Sequence, residues 1–233
     1  MKLLNTNASN AKILKSQTGT EYLIASLSLM PDDLICPARH IAECAKPCLE
    51  DTGRGVMISV KTSRSSKSAF WHQDNNKFIM QLMMEIARFR RYCLKQGKKP
   101  AFRLNTFSDI RWEQYGIPQA FPDCLFYDYT KISSRLGKTP DNYRLMFSYS
   151  AALKYKNQVT RALKTDVPIA AVFRGGMPAS FLGRRVIDGD KSDLINMYSK
   201  NSIVGLKLKG GKRIQASTSP FIIDINQEME LAA

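Results

Sequence analysis

Apolar and polar residues alternate through positions 21–29, EYLIASLSL, a run rich in strand-forming types. A period of two predicts a first β-strand ending near Leu29, and Pro31 with the Asp32–Asp33 pair then breaks it. Between 78 and 94 the period changes: Phe78, Leu82, Ile86, Phe89 and Cys93 step by three and four. That spacing puts them on one face of an amphipathic helix, placed over 76–96. Gly97 supplies a left-handed cap, while Arg88, Arg91 and Lys95 make the opposite face basic.

Beyond the helix come short apolar runs that each end in polar residues: AFRLN (101–105), CLFYDY (124–129), YRLMFS (143–148), PIAAVF (168–173), RRVID (184–188) and SIVGLKL (202–208). Stretches such as KYKNQVTRALK (154–164) separate them. Alternation of strand and helix predicts parallel pairing through crossover connections. With the N-terminal run there are about seven strands, which predicts a partial or irregular (β/α) barrel, its strands mostly parallel. The expected organisation is one α/β domain over 1–233. It comprises a first strand and cysteine loop (20–55), the basic helix (76–96), βα units (100–209) and a C-terminal tail (214–233). An open doubly wound sheet is the alternative, although no glycine-rich phosphate loop follows the first strand.

Composition and charge refine this picture. At 233 residues, 44% hydrophobic and 24% charged, the chain can bury a sizeable core. It has no run of eighteen apolar residues, and MKLLNTNASNAK lacks the apolar stretch of a secretory signal, so the cytoplasm is expected and a membrane is not. The net charge of +15 is unevenly spread. Residues 54–103 hold twelve basic side chains against two acidic, and 154–213 hold thirteen against four, whereas 1–53 and 104–153 are nearly balanced. Two basic segments of this kind attract phosphate backbones through counterion release; solvated helix faces are the plainer explanation.

Three of the five cysteines fall within the neutral segment CPARHIAECAKPC, as Cys36, Cys44 and Cys48. In a reducing compartment such a cluster points to metal or catalysis rather than to disulfides. Thiolates are soft ligands suited to an iron–sulfur cluster or to zinc, and three of them leave one position open. The segment also follows the first strand directly, at the end where parallel α/β folds carry their sites. A 4Fe–4S cluster is therefore the expected cofactor. His40 lies midway between Cys36 and Cys44, so a helical segment would instead build a closed Cys3His zinc site, an arrangement that Pro47 opposes. Simple buried thiols are the third alternative. Cys93, on the apolar helix face, and Cys124, about 13 Å down a strand from the site end, are expected to be structural.

The strand ends supply the other candidates: Asn105, Ser108 and Asp109; Asp128, Tyr129 and Lys131; Ser148 and Ser150; Arg174; Asp188 and Asp190; Lys207 and Lys209. Asp128, Lys131 and Asp109 are the candidate catalytic groups, and Asn105, Ser148, Arg174, Asp188 and Lys207 the candidate cofactor-binding ones. Asp128 interrupts an otherwise apolar strand and must be paired or hydrogen-bonded, with Lys131 as a candidate partner. The bland alternative is turn and cap chemistry.

Several of these segments are familiar. The order CP…C…CL…GRG at 36–55, RLNTFSDIRWE at 103–113, FPDCLFYDYTK at 121–131 and NYRLMFSYS at 142–150 resembles the phage protein family called gene product 88. So do PIAAVF from 168, VIDGDKSDL from 186 and IVGLKLKG from 203. The resemblance implies a virus-encoded protein in the cytoplasm of a bacterial host, and brings no assigned reaction. A weaker resemblance is to radical-SAM enzymes, which place three cysteines after the first strand of a partial barrel, though with different spacing. It implies a cluster on Cys36, Cys44 and Cys48 whose open iron takes S-adenosylmethionine, with Asn105, Asp109, Asp128 and Lys131 lining the cavity. A non-enzymatic alternative is a nucleic-acid-binding protein whose metal is structural or redox-sensing. Arg88, Arg90, Arg91, Lys95, Lys98 and Lys99 would then follow a phosphate backbone beside stacking Phe70, Trp71 and Tyr92. A protein that occupies a host partner is the remaining class.

Overall fold

All the apolar runs quoted above become strands. The structure, a computed structural model, describes residues 1–6, 11–48 and 53–226. Residues 49–52 of the cysteine segment and 227–233 of the tail lie outside the described residues. In chain order the elements are β1 (Leu4–Asn5), α1 (Ala11–Gln17), β2 (Tyr22–Leu27), α2 (Ile58–Gln73), α3 (Asn75–Lys95) and β3 (Lys99–Arg103). There follow α4 (Ile117–Ala120), β4 (Leu125–Thr130), β5 (Tyr143–Ser148), α5 (Lys156–Leu163), β6 (Ile169–Arg174), β7 (Ser180–Phe181) and β8 (Arg184–Asp188). The last are α6 (Asp193–Asn196), β9 (Ile203–Lys207), α7 (Lys212–Gln215) and β10 (Ile222–Asp224).

Among the described residues ten strands form one sheet in the order β1-β2-β3-β4-β5-β6-β9-β8-β7, with β10 added on β6. Pairing is parallel except at β1 with β2 and β7 with β8. The registers bring Ser26 beside Arg103, Asp128 beside Leu145 and Phe173 beside Lys207.

Alternation within each strand splits the core in two. One face carries Ala25, Leu27, Phe102, Phe126, Phe147, Ala171 and Ile203. It is covered by Phe78, Leu82 and Ile86 of α3, by Trp112 and Ile117 after β3, and by Val159 and Ala162 of α5. The other face carries Ile24, Ala101, Leu125, Tyr127, Met146, Ala170 and Val204, covered by Ile13 of α1 and by Leu194 and Met197. The connections from β2 to β3, β3 to β4 and β5 to β6 thus all lie on one side. Right-handed crossovers produce this when each new strand is added in the same direction. The parallel connection from β8 back to β9 runs the opposite way and places Leu194 and Met197 on the second face, so crossovers cover both faces, the feature of the doubly wound alternative. Of the expected partial barrel the mostly parallel strands are present, and among the described residues no pairing joins the β7–β8 edge to β1 or β2. The sheet is open.

The basic helix forms as expected. Asp74 caps its start by accepting the Lys77 N–H at 3.0 Å. Its end is closed by the Gly97 and Lys98 N–H groups, bonded to Leu94 and Cys93 carbonyls, with Gly97 at a φ of 63°. Several elements were not visible in the pattern, α2, β1 and β10 among them. Helix α2 buries only Lys67, Ser68 and Trp71, too few apolar positions to show a period. Strand β1 is two residues long, and β10 lies in what looked like a tail.

Candidate functional site at the carboxyl ends of the strands

The segment from Pro31 to Cys48 is a chain of turns rather than a helix. Asp32 starts it, its Oδ1 accepting the Leu34 and Ile35 N–H groups at 2.9 Å each. Backbone bonds from Cys36 N to Asp32 O (2.8 Å), Ala42 N to Ala38 O (3.0 Å) and Cys44 N to Arg39 O (3.1 Å) continue it. Glu43 adopts a φ of 51°, which no α-helix allows. The loop is tied down from several strand ends. The Asp109 N–H donates to Ile35 O at 2.8 Å, the Ser150 hydroxyl to Ala42 O at 2.8 Å, the Ser219 hydroxyl to Glu43 O, and Arg213 to Lys46 O at 3.0 Å. Those partners follow β3 and β5 or lie in and after α7, so the cysteine loop lies across the carboxyl ends of the sheet. Ile35, Ala42 and Cys44 anchor it in the main core.

None of the five cysteines forms a disulfide; Cys36 and Cys44 are buried and Cys48 is half-buried. Burial pushes the Cys36 thiol up to about 12, against the pull of the Lys131 ammonium, with Asp109, Cys44 and Cys48 raising it further. Burial acts the opposite way on Lys131, yet Cys44, Cys36, Asp109 and Cys48 together hold its pKa above the usual lysine range. Three thiols, one carboxylate and one ammonium are thus electrostatic neighbours. The Lys131 ammonium also lies 5.7 Å from the centre of the Phe221 ring. Among the described residues no group of three or more Cys, His, Asp or Glu is arranged to hold a metal ion. The Cys3His alternative fails on His40, which faces solvent and pairs with Asp33 at 2.7 Å. The four-residue recurrence requires a helix, and the turns dissolve it.

Beneath the loop sits a buried polar network. Asp128 accepts the Asn105 N–H at 2.7 Å and the Tyr143 hydroxyl at 2.9 Å. Burial raises its carboxyl to about 7 despite these bonds. The suggested partner, Lys131, is not its partner: the groups acting on Asp128 are the Asn105 N–H, the Tyr143 hydroxyl and the Arg103 and Arg135 cations. Asn105 is a structural hub, its Oδ1 accepting from Ser108, Ile110 N and the Trp112 indole at 2.7–3.0 Å. The central cation is Arg135, which sequence reasoning missed. It grips both Glu113 oxygens at 2.8 Å and one Asp109 oxygen at 2.6 Å, and donates to the Tyr143 hydroxyl at 3.2 Å. The other Asp109 oxygen accepts the Lys131 N–H at 2.7 Å. An isolated arginine in SSRLG carries no pattern, and its role follows only from Asp109 and Glu113 meeting it.

The model of the family described as Gene product 88 matches residues 1–224. The chain belongs to the Gene product 88 family. Comparison with curated proteins and with solved structures finds no match, so the radical-SAM resemblance gains no support from them. As a Gene product 88 family member this is a bacteriophage protein. Among its described residues, no helix is long and apolar enough to cross a membrane.

The remaining candidates of this Gene product 88 protein are not drawn into the cysteine site. The Ser148 carbonyl and the Lys131 carbonyl both lie within 2.9 Å of the Tyr155 hydroxyl, a structural strut. Arg174 pairs with Asp224 at 3.1 Å and donates to Ser217 O at 2.6 Å. Asp188, Asp190, Lys207 and Lys209 close a turn on one another: Asp190 N–H to Asp188, Lys207 N–H to Asp190, and an Asp190–Lys209 ion pair. The basic segments are partly used up inside the fold. Lys67 is buried on the Leu3 carbonyl (2.8 Å), Arg184 clamps the carbonyls of 163, 165 and 167, and Arg90 pairs with Asp123. Trp71 stacks on nothing external: it is 8% exposed, edge-on to Phe78, Trp112 and Tyr115, and Phe70 packs on Phe78 as well. Arg88, Arg91 and Lys95 do face solvent, with Tyr92 exposed beside them.

Proposed function

We propose that this phage protein carries an iron–sulfur cluster, of the 4Fe–4S type, on the thiolates of Cys36, Cys44 and Cys48. The supporting observation is three thiols outside any disulfide on one turn-built loop across the strand ends, all beside the Lys131 ammonium. In a cluster each thiolate binds a different iron, so the sulfurs stand farther apart than ligands around one zinc ion, whose bonds are about 2.3 Å. Lys131 would offset the negative charge of the thiolates, and the core contacts of Ile35 and Ala42 keep water from one side of the loop. Three protein ligands leave one iron with an exchangeable position.

Oxygen-free purification followed by iron and sulfide assay tests this. About four irons and four sulfides per chain are expected, with a brown charge-transfer absorption that a triple Cys→Ser variant of 36, 44 and 48 lacks. Fresh protein without iron, or a triple variant that loads normally, would end the proposal. The radical-SAM-like extension predicts that S-adenosylmethionine perturbs the EPR spectrum of the reduced cluster. A spectrum indifferent to it removes the extension and leaves the cluster.

A second reading rests on the solvent face of α3. Arg88, Arg91 and Lys95 project from successive turns beside exposed Tyr92, an arrangement that suits contact with a nucleic-acid phosphate backbone.

A further inference from the structure

Beside the cysteine loop lies an open cleft of about 460 Å³ between that loop and the chain from Arg213 to Ser219. Its charged lining is one-sided: Arg39, Lys46 and Arg213 against the single carboxylate of Glu43. Hydroxyls of Ser217 and Thr218 complete a polar wall. Both guanidinium groups are held in place by carbonyl oxygens, Arg39 on Pro31 at 2.7 Å and Arg213 on Lys46 at 3.0 Å. A cleft whose cations are already positioned loses little ordering entropy on binding.

We infer that this cleft binds a small phosphate-bearing molecule of nucleoside diphosphate type. The volume falls within the usual range for a small-ligand site, about 300–1,000 Å³. The surplus of positive charge is complementary in sign to a diphosphate, and planar guanidinium groups are suited to phosphate oxygens held two at a time. The walls come from two loops, whereas α3, the exposed basic helix, is a separate element. The inference does not rest on the cysteine centre, since its groups are Arg39, Lys46 and Arg213 and its readout is binding of a probe that needs no iron.

Calorimetric titration of the full chain with ADP, inorganic pyrophosphate, adenosine and a single-stranded oligonucleotide tests it. ADP and pyrophosphate are expected to bind and adenosine not to. Arg213→Glu and Lys46→Glu should each weaken ADP by about ten-fold or more, the worth of a charge-assisted contact. The Lys46 side chain is exposed, so its reversal leaves the melting temperature unchanged and guards against a folding defect in the Arg213 variant. Absence of ADP binding at about 1 mM, the weak limit of a specific site, overturns the inference. So does ADP affinity unaltered in both variants. Oligonucleotide binding that the variants abolish, without ADP binding, would assign the cleft to a polymer and overturn it equally.

Discussion

Asp128→Asn replaces a carboxyl that the fold buries completely. Burial lifts its pKa to about 7, against the lowering by the Asn105 N–H and the Tyr143 hydroxyl. In the unfolded chain an aspartate titrates near about 3.9. Between those values the folded protein keeps a proton that the unfolded chain has released. Stability from this group is therefore greatest below about pH 4 and is lost as pH rises toward 7. At about 1.4 kcal/mol per pH unit, the full window is worth about 4 kcal/mol, of which roughly 2 to 3 kcal/mol falls between pH 5 and pH 8. An amide does not titrate. Its oxygen still accepts from Asn105, while its N–H₂ meets the Tyr143 hydroxyl, a pH-independent mismatch of about 1 kcal/mol. Urea unfolding of both proteins at pH 5, 6, 7 and 8 measures the difference. The wild type should be favoured most at pH 5, and that advantage should shrink by roughly 2 to 3 kcal/mol by pH 8. A difference that stays constant over the range would refute a carboxyl titrating at this position.

Arg135→Met strands the Asp109 and Glu113 carboxylates without their cation, and should cost about 3–5 kcal/mol in unfolding experiments; near-wild-type stability would mean that the network is dispensable. Gly189→Ala would place a Cβ 2.5 Å from Val204 Cγ1 and 2.7 Å from the Gly205 carbonyl oxygen, in the turn where the Gly189 N–H bonds that same oxygen. A loss of about 1–3 kcal/mol is expected from this overpacking, read as a lower melting temperature. Nucleic-acid binding through α3 should weaken steeply with added salt. It should vanish in a combined Arg88→Glu, Arg91→Glu, Lys95→Glu variant that melts like the wild type, because all three side chains are exposed; retained binding would place the contact elsewhere.

What could be read from the chain itself was whatever repeats over a few residues. The three-and-four spacing of Phe78, Leu82, Ile86, Phe89 and Cys93 marked α3, and the same residues are its buried face. Near-continuous apolar runs marked strands buried on both sides. Helix α2 escaped because Lys67 and Ser68 fill positions where the pattern expects apolar side chains, and a lysine reaching a carbonyl 64 residues away leaves no local trace. The cysteine spacing was likewise open to a helical site, until the positive φ of Glu43 and the outward His40–Asp33 pair removed it.

Closure, pairing and partnership belong to the tertiary structure. Parallel strands meet through crossovers, so nothing in a strand's own residues says which edge it joins or whether the sheet comes round on itself. Asp128 was recognisable as a carboxylate that must be satisfied, but its partners are Asn105 and Tyr143, not the nearby Lys131. Arg135 became the centre of the site only because Asp109 and Glu113, 26 and 22 residues before it, fold onto it. Side-chain chemistry and local period are properties of the chain, whereas the company each group keeps is decided by which distant segments bury it together.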